Sequence, residues 1–321
     1  MKYPALVLMF STTNALADVP RVAVDIAPAH SIVSAVMGDL GSPDLIVPPG
    51  ATPHDYALRP SQARAMDRAD IVIWVGPTLT PWFEGAIDSL AADAVAIELL
   101  AHPVTRLLDV REGAIFANDD HDKAQDQEEE RAPGDDVQAD QGAPSEDPVG
   151  NQAQNSDPHA WLNPDNAIAW AGVVADALAD ADPENATVYA ANAQSFINET
   201  NALKVTIEAK LEPLKGRPFV VFHDAYHYFE YQFGIEAAGA VSSNDAVAPS
   251  PARVSALRSG IAALGATCAL SEPQFNPGIL DALGAVKLAE IDPLGAALKP
   301  GPDLYGQLLA NMATSLADCL Q

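Results

Sequence analysis

The chain of 321 residues is 48% hydrophobic, so it is long enough to form two domains of ordinary size, each with a buried core. Its 44 acidic and 17 basic residues give a formal net charge of −27 at pH 7. A charge of this sign repels nucleic acid and anionic membrane surfaces and attracts cations, so we expect no nucleic-acid partner.

The first residues have the pattern of a secretory signal peptide. Lys2 precedes an apolar run at residues 5–10, and Ala15-Leu16-Ala17 forms a small-x-small cleavage site. We therefore expect residues 1–17 to be removed and the mature protein to be exported. The apolar run is too short to span a bilayer, because spanning takes about 20 residues.

Short, continuously apolar segments alternate with helical patterns in the first hundred residues. This alternation is typical of a parallel sheet that is covered by helices on both faces. We predict an N-terminal α/β lobe with strands at 22–26, 45–47, 70–76 and 94–99 and helices at 28–39, 61–69 and 84–90.

One histidine lies on a loop after the second predicted strand. Pro48, Pro49 and Gly50 end that strand, and His54 follows them. Ligands of open α/β sheets bind beyond the carboxyl ends of the strands, so His54 is a candidate ligand-binding residue. His30, near the start of the first helix, is expected to be structural or to line the cleft.

Residues from about 118 to 156 are rich in Asp, Glu, Gln, Pro and Gly and have no apolar period. This composition predicts a disordered acidic loop inserted in the N-terminal lobe. The loop is either a solubilising segment or a weak cation collector, in which His121 is a candidate auxiliary ligand.

A second α/β pattern follows a long helix. That helix is about 40 Å long at roughly 1.5 Å per residue, which suits a rigid connector between two lobes. His223 and Asp292 each directly follow a predicted strand of the second lobe. In that lobe we predict strands at 219–222, 235–241, 267–270 and 286–291 and helices at 251–264, 277–283 and 304–319. The predicted organisation is a signal peptide at 1–17, an N-terminal lobe at 18–182, a connecting helix at 183–212 and a C-terminal lobe at 213–321.

Four side chains in this arrangement could meet in the cleft between the lobes. They are His54, His159, His223 and Asp292. Three imidazoles and one carboxylate form a tetrahedral nitrogen and oxygen site, which suits Zn²⁺ better than Mn²⁺. Each ligand histidine also needs a partner for its other ring nitrogen, and the nearest acidic residues in sequence are Asp55, Asp157 and Asp224.

Cys268 and Cys319 are the two cysteines of the chain. A disulfide is permitted in an exported protein and would attach the C-terminal helix to a strand. Two buried free thiols are the alternative.

Four motifs resemble those of the ZnuA-type periplasmic zinc-binding proteins, within the larger cluster A-I metal-binding family. They are residues 50–61 (GATPHDYALRPS), 157–162 (DPHAWL), 222–226 (FHDAY) and 271–275 (SEPQF). The resemblance covers essentially the whole mature chain. It implies a solute-binding protein that carries zinc to an inner-membrane ABC permease, with His54, His159 and His223 as ligands, Asp292 as a fourth and Cys268 paired with Cys319. It also implies a periplasmic monomer, with a metallochaperone as a further candidate partner.

Two departures from the family pattern bear on the site. Pro53 stands where some zinc-binding members have a glutamate, so Asp292 or water is the expected fourth ligand. The acidic loop is usually rich in histidine in this family, whereas here it contains His121 alone. His227 lies four residues after His223 and is expected to be an auxiliary residue at the rim.

Two other functions remain open from the sequence. A manganese or iron carrier of the same fold would use a similar cleft. A zinc hydrolase would also use three histidines, but Asp292 would close the open position that catalysis needs, and no H-E-x-x-H general base is present. We therefore expect a binding protein that is not an enzyme.

Overall fold

The structure is a computed structural model, and it describes residues 19–116, 153, 156–242, 250–275, 278 and 287–321. The predicted signal peptide, His121 and most of the predicted acidic loop lie outside these residues. A helix that the sequence predicts at 277–283 also falls almost wholly outside them.

The N-terminal lobe contains a four-stranded parallel sheet in the order β2-β1-β3-β4. Alternate side chains of its central strands enter two separate hydrophobic clusters, so helices cover both faces. The elements are β1 (Val22–Val24), α1 (Ala27–Met37), β2 (Asp44–Leu45), α2 (Pro60–Asp67), β3 (Ile71–Trp74), α3 (Phe83–Leu90) and β4 (Val95–Glu98).

Two helices lie between the two sheets in the chain. They are α4 (Pro164–Ala181) and the long α5 (Ala186–Leu211). The side chain of Asn163 caps α4 by accepting a hydrogen bond from the Asp165 amide at 2.8 Å. The 26 residues of α5 span about 39 Å at 1.5 Å per residue. A long helix between the lobes is therefore confirmed.

The C-terminal lobe contains a second parallel sheet, in the order β6-β5-β7-β8. Its elements are β5 (Phe219–His223), α6 (His227–Phe233), β6 (Ala237–Ser242), α7 (Pro251–Leu264), β7 (Cys268–Ser271), β8 (Lys287–Glu290) and α8 (Leu304–Leu320). The predicted fold class, two α/β lobes with parallel sheets, is confirmed.

One hydrophobic cluster runs through both lobes. It joins β1 and β3 to β5 and β7 through buried residues of α1, α4, α5 and α8. Ser31 in α1 donates to the Pro302 carbonyl at 3.0 Å and accepts from the Tyr305 amide of α8 at 2.9 Å. The two lobes are thus packed together through α1 and α8.

Residues 106–116, called the crossing segment here, lead from the N-terminal lobe onto the edge of the second sheet. Ile115 forms an antiparallel bridge with Gly239 on β6. A Cβ atom at Gly239 would lie 2.2 Å from the Ala114 carbonyl oxygen, so only glycine fits there. Asp109 of the crossing segment also forms an antiparallel bridge with Ser156.

Cys268 of β7 and Cys319 of α8 form a disulfide, with their Cα atoms 5.5 Å apart. The expected pairing is confirmed and the free-thiol alternative is wrong. Among the described helices, none combines the length and the apolar character needed to cross a bilayer.

Candidate metal site

His223 is the last residue of β5, and its ring is held by a carboxylate from the neighbouring strand. Its Nδ1 lies 2.9 Å from Oε1 of Glu272, which directly follows β7. The other carboxylate oxygen of Glu272 accepts from Nε2 of Gln274 at 2.7 Å. With Nδ1 donating to Glu272, Nε2 of His223 carries the lone pair that can bind a metal.

His159 lies in the turn that precedes a short 3-10 helix at Ala160–Leu162. Its Nδ1 is 2.6 Å from Oδ1 of Asp157, and its backbone amide donates to the same oxygen at 2.9 Å. The turn is therefore closed by one carboxylate that also orients the imidazole. Nε2 is again the nitrogen suited to coordination.

The structure brings these two histidines together. Their ring centroids are 4.9 Å apart, and both side chains are buried, with His159 5% and His223 2% exposed. The ring of Phe275 lies 6.2 Å from His223, and that of Trp161 lies 5.2 Å from His159. The pair thus occupies a confined environment with low water access.

His54 lies on a partly exposed loop nine residues after β2 ends. The loop is held by Trp82, the residue before α3, because Nε1 of Trp82 donates to the Pro53 carbonyl at 2.8 Å and the Trp82 ring lies 5.9 Å from that of Tyr56. In the part of the chain that the structure describes, no three His, Cys, Asp or Glu side chains are arranged to hold one metal ion. His54 therefore does not form a ready-made set with His159 and His223.

Asp292 follows β8 at the same carboxyl edge as His223 and Glu272. Its carboxylate accepts hydrogen bonds from the amides of Leu294 at 3.1 Å and Ala297 at 3.3 Å. It also lines a cavity of about 250 Å³ between β8 and α8. Burial raises the pKa of Tyr226 well above its usual value, and the carboxylates of Glu272 and Asp292 add to this shift.

The acidic partners suggested by proximity in sequence are only partly those observed. Asp157 does hold His159, but His223 is held by Glu272. Asp224 instead forms an ion pair with Arg111, because the crossing segment carries this arginine into the second lobe. Burial raises the pKa of Asp224, and Arg111 opposes that shift.

Arg111 is a partly buried residue that the sequence did not single out. It contacts Glu230 at 2.6 Å as well as Asp224, and its guanidinium lies 4.0 Å from the ring centroid of Phe116. Burial lowers the pKa of Arg111, but the two carboxylates outweigh this and hold it above its ordinary value. The negative charge of Asp224 is therefore compensated by Arg111.

Two further histidines, His227 and His30, have roles predicted from the sequence. His227 begins α6, and its Nδ1 is 4.0 Å from Oδ2 of Asp157, beyond hydrogen-bonding distance. Its expected place at the rim of the site and its auxiliary metal role both stay predictions. His30 is structural, because its Nε2 is 3.0 Å from the Pro43 carbonyl and burial lowers the pKa of its imidazole.

A family model described as zinc-uptake complex component A, periplasmic (ZnuA), matches residues 22–319. The chain belongs to the ZnuA family. It is 43% identical to the high-affinity zinc uptake system protein ZnuA of Paracoccus denitrificans (strain Pd 1222) over 95% of this chain and 93% of that protein. It is 40% identical to the ZnuA protein of Brucella abortus (strain 2308), over 93% of this chain and 91% of that one.

The fold is also that of solved ZnuA structures. A crystal structure of a ZnuA deletion mutant with zinc bound superposes with a TM-score of 0.72 at 22% identity, covering 95% of this chain and 99% of that chain. ZnuA-family proteins are periplasmic solute-binding components of zinc transport, so the hydrolase alternative does not apply. The family resemblance read from the four motifs is confirmed.

Proposed function

We propose that this protein binds Zn²⁺ in the periplasm and delivers it to the permease of an inner-membrane ABC transporter. Zinc is the cargo, and no bond of a substrate is made or broken. The relatives that are 40% and 43% identical are named as high-affinity zinc uptake proteins, which supports this assignment.

The observation that carries the proposal is the pair of buried histidines from the two lobes. Each has Nδ1 engaged by a carboxylate, so each offers Nε2 to the same narrow region. Imidazole nitrogens that are oriented in this way are typical zinc ligands. We propose His54 as the third ligand, reached by a movement of its loop, and Asp292 or water as the fourth.

The test is a metal competition on the mature, metal-stripped protein. Zn²⁺ and Mn²⁺ are offered at buffered concentrations to the wild type, His54→Ala, His159→Ala, His223→Ala and Asp292→Ala. We expect one tight zinc ion per chain and a strong loss of affinity in each histidine variant. His102→Ala, which changes a histidine that we place outside the site, is the matched control and should bind as the wild type does. Preferred manganese binding, or indifference to His223, would overturn the proposal.

We further propose that residues 1–17 are a cleaved signal peptide and that the mature lobes comprise 18–182 and 213–321 around the connector 183–212. The N-terminal sequence of protein purified from the periplasm tests the cleavage site. We also propose a monomer that exchanges zinc with a metallochaperone. Light scattering tests whether the protein is a monomer, and zinc transfer between the two purified proteins tests the exchange with a metallochaperone.

A further inference from the structure

We propose that Trp161 is a positioning residue that fixes the Asp292 turn relative to His159 and thereby sets zinc affinity. The inference rests on the proposed zinc-binding function. Trp161 is 1% exposed, and its indole Nε1 donates to the Pro293 carbonyl at 2.8 Å. Pro293 directly follows Asp292, and the Trp161 ring lies 5.2 Å from that of His159. One side chain therefore contacts the turns of two proposed ligands that lie in different lobes.

The backbone of Trp161 is itself held from the far side. Its carbonyl accepts from the Tyr305 hydroxyl of α8 at 2.9 Å. The Tyr305 amide donates to Ser31 of α1, which in turn donates to the Pro302 carbonyl. All these contacts involve buried side chains of Ser31, Trp161 and Tyr305, where hydrogen bonds are protected from water. Trp161 is thus held in place by α8 and in turn holds the Asp292 turn through the hydrogen bond to Pro293.

The Asp292 turn, residues 292–297, moves as a unit because the Asp292 carboxylate accepts hydrogen bonds from backbone amides of the same turn. Leu294 and Ala297 donate their amides to the two carboxylate oxygens. A displacement of Pro293 therefore carries the Asp292 oxygens with it. Zinc to carboxylate bonds are about 2.0–2.2 Å long, so a small displacement of that turn weakens the bond.

Trp161→Phe keeps an aromatic ring in place and removes the N–H donor. We expect the zinc dissociation constant to rise by about tenfold, within the range of ten- to hundredfold known for residues that orient metal ligands. Trp170→Phe is the matched control. Trp170 is equally buried and its Nε1 donates to Thr105 Oγ1 at 2.8 Å, within the N-terminal lobe. The Trp170→Phe variant should lose as much thermal stability as Trp161→Phe and keep the zinc affinity of the wild type.

The readout that separates positioning from general stability is a double-mutant cycle with Asp292→Ala. If Trp161 acts through the Asp292 turn, Trp161→Phe has no further effect on zinc affinity once the carboxylate is gone. Equal effects of Trp161→Phe in both backgrounds, or equal zinc losses in Trp161→Phe and Trp170→Phe, would overturn the proposal. Tyr305→Phe loosens Trp161 without removing its indole and should give a smaller change in the same direction, so it carries the test if Trp161→Phe fails to fold.

The outcomes also separate this inference from the proposed function. A wild-type protein that binds no zinc would refute the function itself. A wild type that binds one zinc ion, loses it in His223→Ala and keeps it unchanged in Asp292→Ala would support the function and refute the role of Trp161.

Discussion

At the scale of single residues, the carboxylates beside the histidines decide which ring nitrogen is left to bind the proposed zinc ion. Glu272 and Asp157 engage Nδ1 of His223 and His159 at 2.9 and 2.6 Å. A carboxylate in this place fixes the tautomer and makes the imidazole a better ligand. Glu272 is 2% exposed and is tied to Gln274, so it cannot easily turn away.

We expect Glu272→Gln to raise the zinc dissociation constant of the protein about ten- to hundredfold, because the neutral amide polarises His223 less. Isothermal titration with a competing chelator measures the change. Glu236→Gln replaces an exposed glutamate of the same lobe and should have no effect. Equal affinities of Glu272→Gln and Glu236→Gln would show that Glu272 plays no part in zinc binding.

Asp25 is a buried carboxylic acid at the end of β1, outside the proposed site. Burial raises its pKa from 3.8 to about 7, although the amides of Val75 and Ile26 donate to it and lower the pKa in part. The folded protein therefore retains a proton that the unfolded chain loses as the pH rises above about 4. The contribution of Asp25 to the free energy of unfolding should therefore fall over the range from pH 4 to pH 7.

The expected slope is about 1.4 kcal/mol per pH unit, or roughly 4 kcal/mol over the whole range. Urea unfolding of the metal-free protein at several pH values measures it. Asp25→Asn should lose this component of the pH dependence. A variant whose pH dependence matches that of the wild type would assign the titration to other groups.

One local contact at the site, that of Asp157 with His159, could be predicted from the sequence, whereas the distant contacts could not. Asp157 and His159 are two residues apart, so their pairing follows from a single turn. Glu272 and His223 are 49 residues apart, and Arg111 and Asp224 are 113 residues apart. Those pairs depend on strand order and on the path of the crossing segment, which no local pattern specifies.

At the scale of elements, the apolar strands and amphipathic helices were predicted to within a few residues. The helix predicted at 251–264 has the same bounds as the observed α7. Both ends carry a clear signal, because Ser250 caps the first turn and Gly265 ends the helix in a left-handed conformation. Strand 45–47 was predicted one residue late, and β2 is Asp44–Leu45. The crossing segment was missed because it has no alternating pattern and pairs with β6 through a single isolated bridge.

The acidic insertion enters and leaves through ordered backbone. The Phe116 amide donates to the Ala238 carbonyl, and the Asp157 backbone amide donates to the Leu108 carbonyl. We expect deletion of residues 118–152 with a short Gly-Ser link to leave the fold and tight zinc binding nearly unchanged. Circular dichroism and chelator competition measure both. A large loss of zinc affinity would instead make the loop part of the tight site.

At the scale of the whole molecule, the hydrophobic cluster shared by both lobes implies one cooperative unit. We expect a single calorimetric transition for the metal-free protein, with calorimetric and van 't Hoff enthalpies nearly equal. Met66→Ala, in the fully buried cluster on the other face of the first sheet, should lower that single transition at a cost of about 2–5 kcal/mol. Two transitions, of which only one moves in Met66→Ala, would show that the lobes unfold independently.

The pairing of α1 with α8 also constrains how the chain can fold. The Ser31 hydroxyl donates a hydrogen bond to the Pro302 carbonyl, and these two residues are 271 positions apart in the sequence. During synthesis α1 is therefore made long before α8, although α4 and α5, which also pack against α1, are made earlier than α8. Contacts of such long range slow folding, so the newly made chain should remain open and recognisable to export and chaperone machinery until α8 has emerged.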